Sequence, residues 1–267
     1  MPYREKRIYS GNMLEVEIYP ISHKERNLPR KKKEKESSYK QKNLNDKNAK
    51  KKLIRLINTN FTDNDLIGHL TYDKVHLPKT PDEAYKNLVN YMKRIKRYRK
   101  KHGLSDLKYI AVTEYHEANP KDKRTRVRIH HHIAMSGMNR EMAEQIWGKG
   151  ARTNCRKLSA DEFGYEGFAR YITKDPQGAK RWTQSKNLKK PLVKINDYKF
   201  SKKKTQQLAM YLEDRELFEK LYPGYTYTEC KSYINDVTAG TQIYIKMRKK
   251  AEPIMAARDK DKERRGN

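Results

Sequence analysis

The stretch that most constrains the fold is Val127 to Met135, which reads Val-Arg-Ile-His-His-His-Ile-Ala-Met. In an extended strand successive side chains point to opposite faces, so the odd-numbered positions form a face that is apolar except for His131. The even face carries His130 and His132, two residues apart. We therefore predict a central strand that packs one face on a core and presents two imidazoles to a divalent metal from the other. The alternative, a chance polar cluster or a tag remnant, does not account for the alternating apolar residues.

Charge is the second constraint. The chain has 267 residues, with 62 Lys and Arg against 33 Asp and Glu, and a formal net charge of +29. Such an excess indicates a polyanionic partner, with nucleic acid as the first candidate. A membrane-surface protein would concentrate its charge on one amphipathic helix. Here the charge is spread along the chain together with 19 Tyr, which suit stacking on bases.

The sequence contains no window that approaches the roughly 20 apolar residues of a membrane span, and it begins without an apolar signal region. We therefore expect a cytoplasmic protein with no membrane partner. Cys155 and Cys230 are far apart in the sequence. They predict neither a disulfide framework nor a cysteine-rich zinc site.

Apolar periodicity and turn residues predict an α+β fold. We expect the histidine strand at the centre of a mainly antiparallel sheet with helices on one side, because long turns between neighbouring strands favour antiparallel pairing. A capping box at Thr80-Pro81-Asp82-Glu83 begins one helix, and Gly103 ends it. The other predicted elements are a hairpin at 7–21 turning through Gly11-Asn12, strands at 66–72 and 107–116, helices at 136–147, 160–174 and 204–221, and a hairpin pairing 225–234 with 242–247.

The same pattern divides the chain into four parts. Residues 1–60 form an N-terminal hairpin and a basic arm, and residues 61–200 form the core. Residues 201–248 supply a helix and a hairpin that complete the domain, and residues 249–267 form a charged tail. The basic arm is either a solvated, partly helical segment or a contact to a DNA backbone, and the sequence leaves both open.

Two imidazoles need at least one further ligand to hold a catalytic metal. Glu114, on the strand before the histidines, is our choice, although it shares its parity with the apolar Ile110 and Val112. Glu117 is the alternative. A set of mixed nitrogen and oxygen ligands suits Mn²⁺, Mg²⁺ or Zn²⁺. Taken by itself, Glu114 fits a surface ion pair equally well.

A tyrosine and a lysine follow on a predicted helix. Tyr171 and Lys174 are three residues apart, so they share one helical face. A phenol is a poor nucleophile at neutral pH because its pKa is near 10. It becomes competent when a metal draws charge from the phosphate that it attacks and a neighbouring ammonium favours the phenolate. In a chain with 19 Tyr such a pair also arises by accident, so its weight comes from the other motifs.

Three segments in order carry a resemblance to a known family. They are Leu70-Thr71-Tyr72, His130-His131-His132 followed by Ile-Ala-Met-Ser-Gly, and Tyr171-Ile-Thr-Lys174. Together they resemble the motifs of the HUH endonucleases, and more narrowly those of rolling-circle replication initiators (Rep proteins) of bacterial plasmids, phages and integrated elements. In that family the outer two histidines bind metal and the middle position is usually hydrophobic, whereas this chain has His131. Residues 112–115 resemble the strand that donates the third ligand.

The resemblance implies a five-stranded sheet with the tyrosine helix across it and peripheral hairpins around it. Its implied reaction is a transesterification on single-stranded DNA at a replication origin, with Mn²⁺ or Mg²⁺ held by His130, His132 and Glu114. Tyr171 attacks the scissile phosphate, Lys174 steadies the phosphate or the phenolate, and a 5′-phosphotyrosyl link and a 3′-hydroxyl result. Tyr165 lies about 600° round a helix from Tyr171, which favours a single nucleophile. The side chains expected to contact DNA are Arg128, Arg170, Lys180, Arg181 and Lys186.

The chain has no Gly-x-x-x-x-Gly-Lys-Ser/Thr loop, so we expect a helicase to be supplied by the host or by the element. Two other functions remain open. One is a relaxase- or transposase-type enzyme that mobilises DNA, or a nuclease that cuts by activated water. The other is a non-catalytic nucleic-acid-binding protein whose histidines hold a structural metal.

Overall fold

The computed structural model describes residues 2–21, 38–116, 127–150, 152–173, 181–234 and 240–251, which form an α+β fold, as predicted. The helices in these ranges are α1 (Tyr39–Asn60), α2 (Pro81–Lys101), α3 (Arg140–Trp147), α4 (Glu166–Ile172), α5 (Lys202–Leu208) and α6 (Arg215–Leu221). The strands are β1 (Tyr3–Ser10), β2 (Met13–Pro20), β3 (Leu66–Leu70), β4 (Tyr109–His116), β5 (Val127–Met135), β6 (Asn154–Lys157), β7 (Thr183–Gln184), β8 (Leu192–Asn196), β9 (Tyr225–Ile234) and β10 (Thr241–Lys249). None of the described helices combines the length and the apolar content needed to cross a lipid bilayer.

Five antiparallel strands in the order β6-β3-β5-β4-β7 form what we call the histidine sheet. β5 lies at its centre, as its sequence predicts. Ile133 and Met135, on the odd face of β5, pack in one cluster with Leu88, Tyr91 and Ile95 of α2. The predicted core face of β5 therefore meets the predicted apolar face of α2.

The opposite face of the histidine sheet is also covered by helices. Val112 and Ala134 pack in a second cluster with Ile57 of α1 and Ile172 of α4. Helices thus lie on both sides of the sheet, whereas the sequence predicted one side. The reason is that the even-numbered residues of β4 and β5 beneath α1 and α4, such as Val112 and Ala134, are apolar. This part of the second face therefore also has to be buried.

The N-terminal and C-terminal hairpins, predicted as peripheral, join in a second sheet with the order β8-β1-β2-β10-β9. β2 pairs with β10, which places Val16 opposite Ile245. These two residues pack with Phe218 of α6 in a third core cluster. The turn between β1 and β2 is at Gly11-Asn12, as predicted. A Cβ added at Gly11 would lie 2.1 Å from the carbonyl oxygen of Asn58 in α1, so the close approach of this turn to α1 requires glycine.

α2 shows how local sequence fixes an element. The Oγ1 of Thr80 accepts a hydrogen bond of 3.2 Å from the backbone N–H of Glu83, which satisfies one of the amides that a helix leaves unpaired at its start. The predicted core positions Ala84, Leu88 and Met92 are buried. The division of the chain at residues 60, 200 and 248 stays a prediction.

Candidate metal centre and nucleophile

The two outer histidines of β5 point their rings at each other on the even face of the strand. Their Nε2 atoms are 3.1 Å apart. The Nδ1 of His130 lies 2.8 Å from the carbonyl oxygen of Arg128, so a protonated Nδ1 donates there and leaves the lone pair of Nε2 available. A backbone contact of this kind fixes the tautomer and orientation of a metal-binding imidazole.

A third imidazole, which the sequence analysis missed, completes the group. His69 of β3 lies directly opposite His132 in the ladder, and the two rings stack with centroids 5.0 Å apart. The ligand atoms of His69, His130 and His132 all lie within 4.8 Å of one another, so this group has the geometry to hold a metal ion. The sequence of β3 could have indicated this ligand. Leu66 and Leu70 alternate on its buried face, so His69 points to the opposite face.

Glu114 lies beside the same histidines. It is directly opposite His130 in the β4–β5 ladder. Its Oε2 is 3.2 Å from Nε2 of His132 and 3.5 Å from Nε2 of His130. Glu114 and Val112 point to the same face of β4. Because Val112 lies opposite His132 and Glu114 lies opposite His130, that face is the one that carries the two histidines. Glu117 lies outside the described residues.

Two of these rings, His132 and His69, have a lowered pKa. Desolvation, together with the neighbouring His130 and His69, lowers the pKa of His132 to about 3. The pKa of His69 is also lowered, first by burial and then by His130. A neutral imidazole is the form that coordinates a cation, so the site does not have to release a proton from these two rings before a metal binds.

His131 has a different environment on the opposite face of the strand. It is completely buried, and its Nε2 lies 2.8 Å from the hydroxyl of Tyr72 while its Nδ1 lies 2.8 Å from Oγ1 of Thr113. A neutral imidazole has one donor and one acceptor nitrogen, and both have partners here. Burial lowers the pKa of His131 to about 3. A histidine thus occupies the usually hydrophobic middle position because two hydroxyl groups satisfy it.

Tyr171 lies at the edge of this group. The residue is 60% exposed, and its ring makes an edge-to-face contact with the ring of His132, with centroids 5.0 Å apart. Tyr165, at the start of the same helix, is buried and donates a 3.0 Å hydrogen bond to Asp63. The two tyrosines therefore have different environments, and Tyr171 is the one beside the histidines. Lys174 lies outside the described residues.

Two grooves meet at the histidines and Tyr171. The larger has a volume of about 940 Å³, and the smaller about 280 Å³. Both are lined by His69 and Tyr171. Polar and basic side chains that the sequence analysis did not single out also line them, namely Lys74 and Arg152 in the larger groove and Asn154 and Arg156 in the smaller one. Asp73 and Glu114 are acidic members of the same lining, but the basic residues outnumber them, so we call the two grooves together the basic channel.

The residues expected to contact DNA differ in their distance from the grooves and in whether they already have an acidic partner. Arg128 lines the larger groove and donates a 3.3 Å hydrogen bond to the carbonyl oxygen of Tyr72. Lys186 is exposed just after β7. Arg170 pairs with Glu166 at 2.5 Å on its own helix, and Arg181 pairs with Asp46 of α1. Lys180 lies outside the described residues.

The family model described as replication-associated protein ORF2/G2P matches residues 65–176. The matched segment runs from β3 to just beyond α4, so it contains the histidines, Glu114 and Tyr171. The match confirms the resemblance to rolling-circle Rep proteins of the HUH superfamily. No curated protein and no solved structure gives a significant match.

Proposed function

Because residues 65–176 carry a Rep-type domain similar to the ORF2/G2P replication-associated proteins, we propose that this protein nicks and rejoins single-stranded DNA to initiate rolling-circle replication. The single observation that supports this most strongly is the edge-to-face contact between Tyr171 and His132. It joins a solvent-accessible phenol to a group of imidazoles suited to a metal, inside an open basic channel.

The residues present fit a divalent ion. His130 and His132 would hold it, with Glu114 as the oxygen ligand that Mn²⁺ or Mg²⁺ favours and His69 as a further nitrogen ligand. When bound, the ion supplies positive charge that stabilises the charge developing on the scissile phosphate.

The chemistry of the chain's own residues balances without a co-reactant. The phenol oxygen of Tyr171 forms a bond to phosphorus while the bond from phosphorus to the 3′ oxygen breaks. The phenol loses one proton and the departing 3′ oxygen gains one. A 5′-phosphotyrosyl link and a 3′-hydroxyl result, and attack by a 3′-hydroxyl on that link reverses the step and rejoins the strand.

The basic side chains of the channel would hold the DNA. Arg128 and Arg152 in the larger groove and Arg156 in the smaller one can pair with successive phosphates on either side of the metal group. Lys174 is proposed to steady the scissile phosphate or the phenolate. A helicase from the host or the element is proposed to separate the strands.

An open site also favours catalysis over a structural metal. Four protein ligands would close a tetrahedral zinc site, but they would leave positions for water or substrate on an octahedral ion such as Mg²⁺. Here His130 and Glu114 are half-buried and line the larger groove.

The test is a denaturing gel after the protein is mixed with Mn²⁺ and single strands from its own element's origin. We expect a protein–DNA adduct that resists denaturation and disappears in Tyr171→Phe. Tyr198→Phe is the matched control, because Tyr198 is 97% exposed and lies in the turn after β8. Cleaved DNA without an adduct would instead indicate attack by activated water, and binding without cleavage would indicate a non-catalytic protein. A relaxase- or transposase-type enzyme gives the same adduct but acts on transfer or element-end sequences.

A further inference from the structure

The face of the second sheet that lies opposite its core carries charged residues, and one of them reaches the tyrosine helix. Lys246 of β10 is buried, with 6% of its surface exposed. Its Nζ bonds the carboxylate of Glu166, which is the first residue of α4 and is itself 8% exposed. A buried ion pair therefore joins the second sheet to the helix that carries Tyr171.

The neighbours of Lys246 show that this pairing is specific. In the ladder Lys246 lies opposite Glu15 of β2 and Glu229 of β9. Glu15 already accepts a 2.7 Å hydrogen bond from Arg55, and Glu229 pairs with Lys231. Both acidic neighbours on its own sheet thus have another cation, and the ammonium of Lys246 bonds Glu166 of α4.

Glu166 is held from a second side as well. Its other oxygen accepts a 2.5 Å hydrogen bond from Nε of Arg170, one turn along the helix. Burial by itself would raise the pKa of Glu166, but the hydrogen bonds and charges of Lys246 and Arg170 leave it lowered. The carboxylate is therefore ionised at neutral pH and needs its partners, since an unpaired buried charge is costly.

The position of Glu166 on α4 explains what the ion pair does. α4 has seven residues and no side-chain hydrogen bond at its N-cap. A helix this short depends on tertiary contacts for its placement. Tyr171 is five residues after Glu166, about 500° round the helix, so the two side chains lie on well-separated faces. Contacts on the Glu166 face, together with the packing of Ile172 against α1, thus set the rotation that aims Tyr171 at the groove.

We propose that Lys246 is a positioning residue for Tyr171, acting through Glu166 to fix the orientation of α4 above the histidines. The effect on rate rests on the function proposed above. The second sheet would then be part of the nicking machinery, although none of its described strands lines the basic channel.

The kinetic test compares Lys246→Met with Lys220→Met. Lys220 forms an exposed pair with Glu216 on α6, so its removal leaves α4 untouched. We expect Lys246→Met to lower the maximal rate of Tyr171 adduct formation by about 10–100-fold, as misplaced reacting groups do. The affinities for single-stranded DNA and Mn²⁺ should stay within about twofold, because neither depends on the aim of the phenol. Lys246→Arg should recover much of the rate, since it keeps a cation beside Glu166.

A second measurement does not require activity. In protein labelled with 3-fluorotyrosine, the ¹⁹F resonance of Tyr171 is identified by its loss in Tyr171→Phe. We expect Lys246→Met to move this resonance toward that of an unrestrained fluorotyrosine, because the ring leaves the edge of His132. Lys220→Met should leave it in place. If Lys246→Met does not fold, the double variant Lys246→Met, Glu166→Leu replaces the ion pair with an apolar pair, which proteins tolerate well.

The outcomes separate the two proposals. A Tyr171 resonance and an adduct rate that are the same in Lys246→Met and wild type would overturn the positioning role and leave the nicking function intact. A wild-type protein that forms no adduct would overturn the nicking function, and the ¹⁹F shift would still decide whether Lys246 orients Tyr171.

Discussion

At the scale of the residue, Glu114 brings a negative charge to a group otherwise built from imidazoles. Hard divalent cations such as Mn²⁺ favour oxygen ligands, whereas Zn²⁺ accepts nitrogen readily. We therefore expect Glu114→Gln to weaken Mn²⁺ binding by at least about tenfold, and more than His69→Gln does. With Zn²⁺ the order should reverse. Isothermal titration calorimetry measures both affinities, with the exposed Glu141→Gln as control. A larger loss of Mn²⁺ affinity in His69→Gln would make His69 the third ligand in place of Glu114.

His131 allows a separate test of which face of β5 binds the metal. His131→Leu removes the imidazole that the hydroxyls of Tyr72 and Thr113 share, and it leaves Tyr72 only a long, 3.5 Å bond to the carbonyl oxygen of Ala84. We expect a loss of about 1–3 kcal/mol in the free energy of unfolding, the usual cost of unsatisfied buried groups. Mn²⁺ affinity should be unchanged. Urea denaturation and calorimetry report the two quantities. A variant with wild-type stability but no Mn²⁺ binding would place His131 among the ligands.

At the scale of the element, α4 connects the two sheets, and its ion pair predicts a response to acid. In the folded protein the pKa of Glu166 is lowered below its ordinary 4.5 by Lys246 and Arg170, although burial opposes this. The unfolded chain therefore takes up protons first as the pH falls. The ion pair therefore makes its full contribution to the free energy of unfolding above about pH 4.5. That contribution is lost as the pH falls through the lowered pKa that Glu166 has in the folded protein.

Stability measured by urea denaturation between pH 6 and pH 3 checks this. We expect the variant Lys246→Met, Glu166→Leu to lose less stability on acidification than wild type. The exposed pair offers the matched control, since Lys220→Met, Glu216→Leu should follow the wild-type curve. If both double variants followed the wild-type curve, the buried pair would contribute nothing to acid sensitivity.

The elements also show where sequence reasoning succeeds. β5 has the predicted limits because its odd-numbered positions are apolar except for His131, and α2 begins directly after Thr80 because its cap is encoded locally. The second sheet was not predicted, since pairing β2 with β10 joins residues more than 200 positions apart and no local pattern encodes that choice. His69 was missed for a similar reason, because only the β3–β5 register brings it opposite His132.

At the scale of the whole molecule, the net charge of +29 predicts strong and salt-sensitive binding to nucleic acid. The affinity for a single strand should fall steeply between low and physiological salt, because each phosphate contact releases counterions. We expect Arg152→Ala and Arg156→Ala each to reduce the slope of log affinity against log salt by about 0.7, the value for one contact to a single strand. Fluorescence anisotropy with a labelled oligonucleotide measures the slope. Lys220→Ala, the control, should leave the slope unchanged. If Arg152→Ala and Arg156→Ala gave the same slope as Lys220→Ala, the channel would not be part of the surface that binds DNA.

The central claim is that the phenol of Tyr171 becomes covalently joined to DNA. Mass spectrometry of the trypsin-digested adduct tests it most directly. Cleavage after Arg170 and Lys174 releases the peptide Tyr171-Ile-Thr-Lys174, which contains one tyrosine. We expect the nucleotide mass on this peptide and its absence when Mn²⁺ is withheld. A nucleotide on any other peptide, or cut DNA beside an unmodified 171–174 peptide, would contradict it.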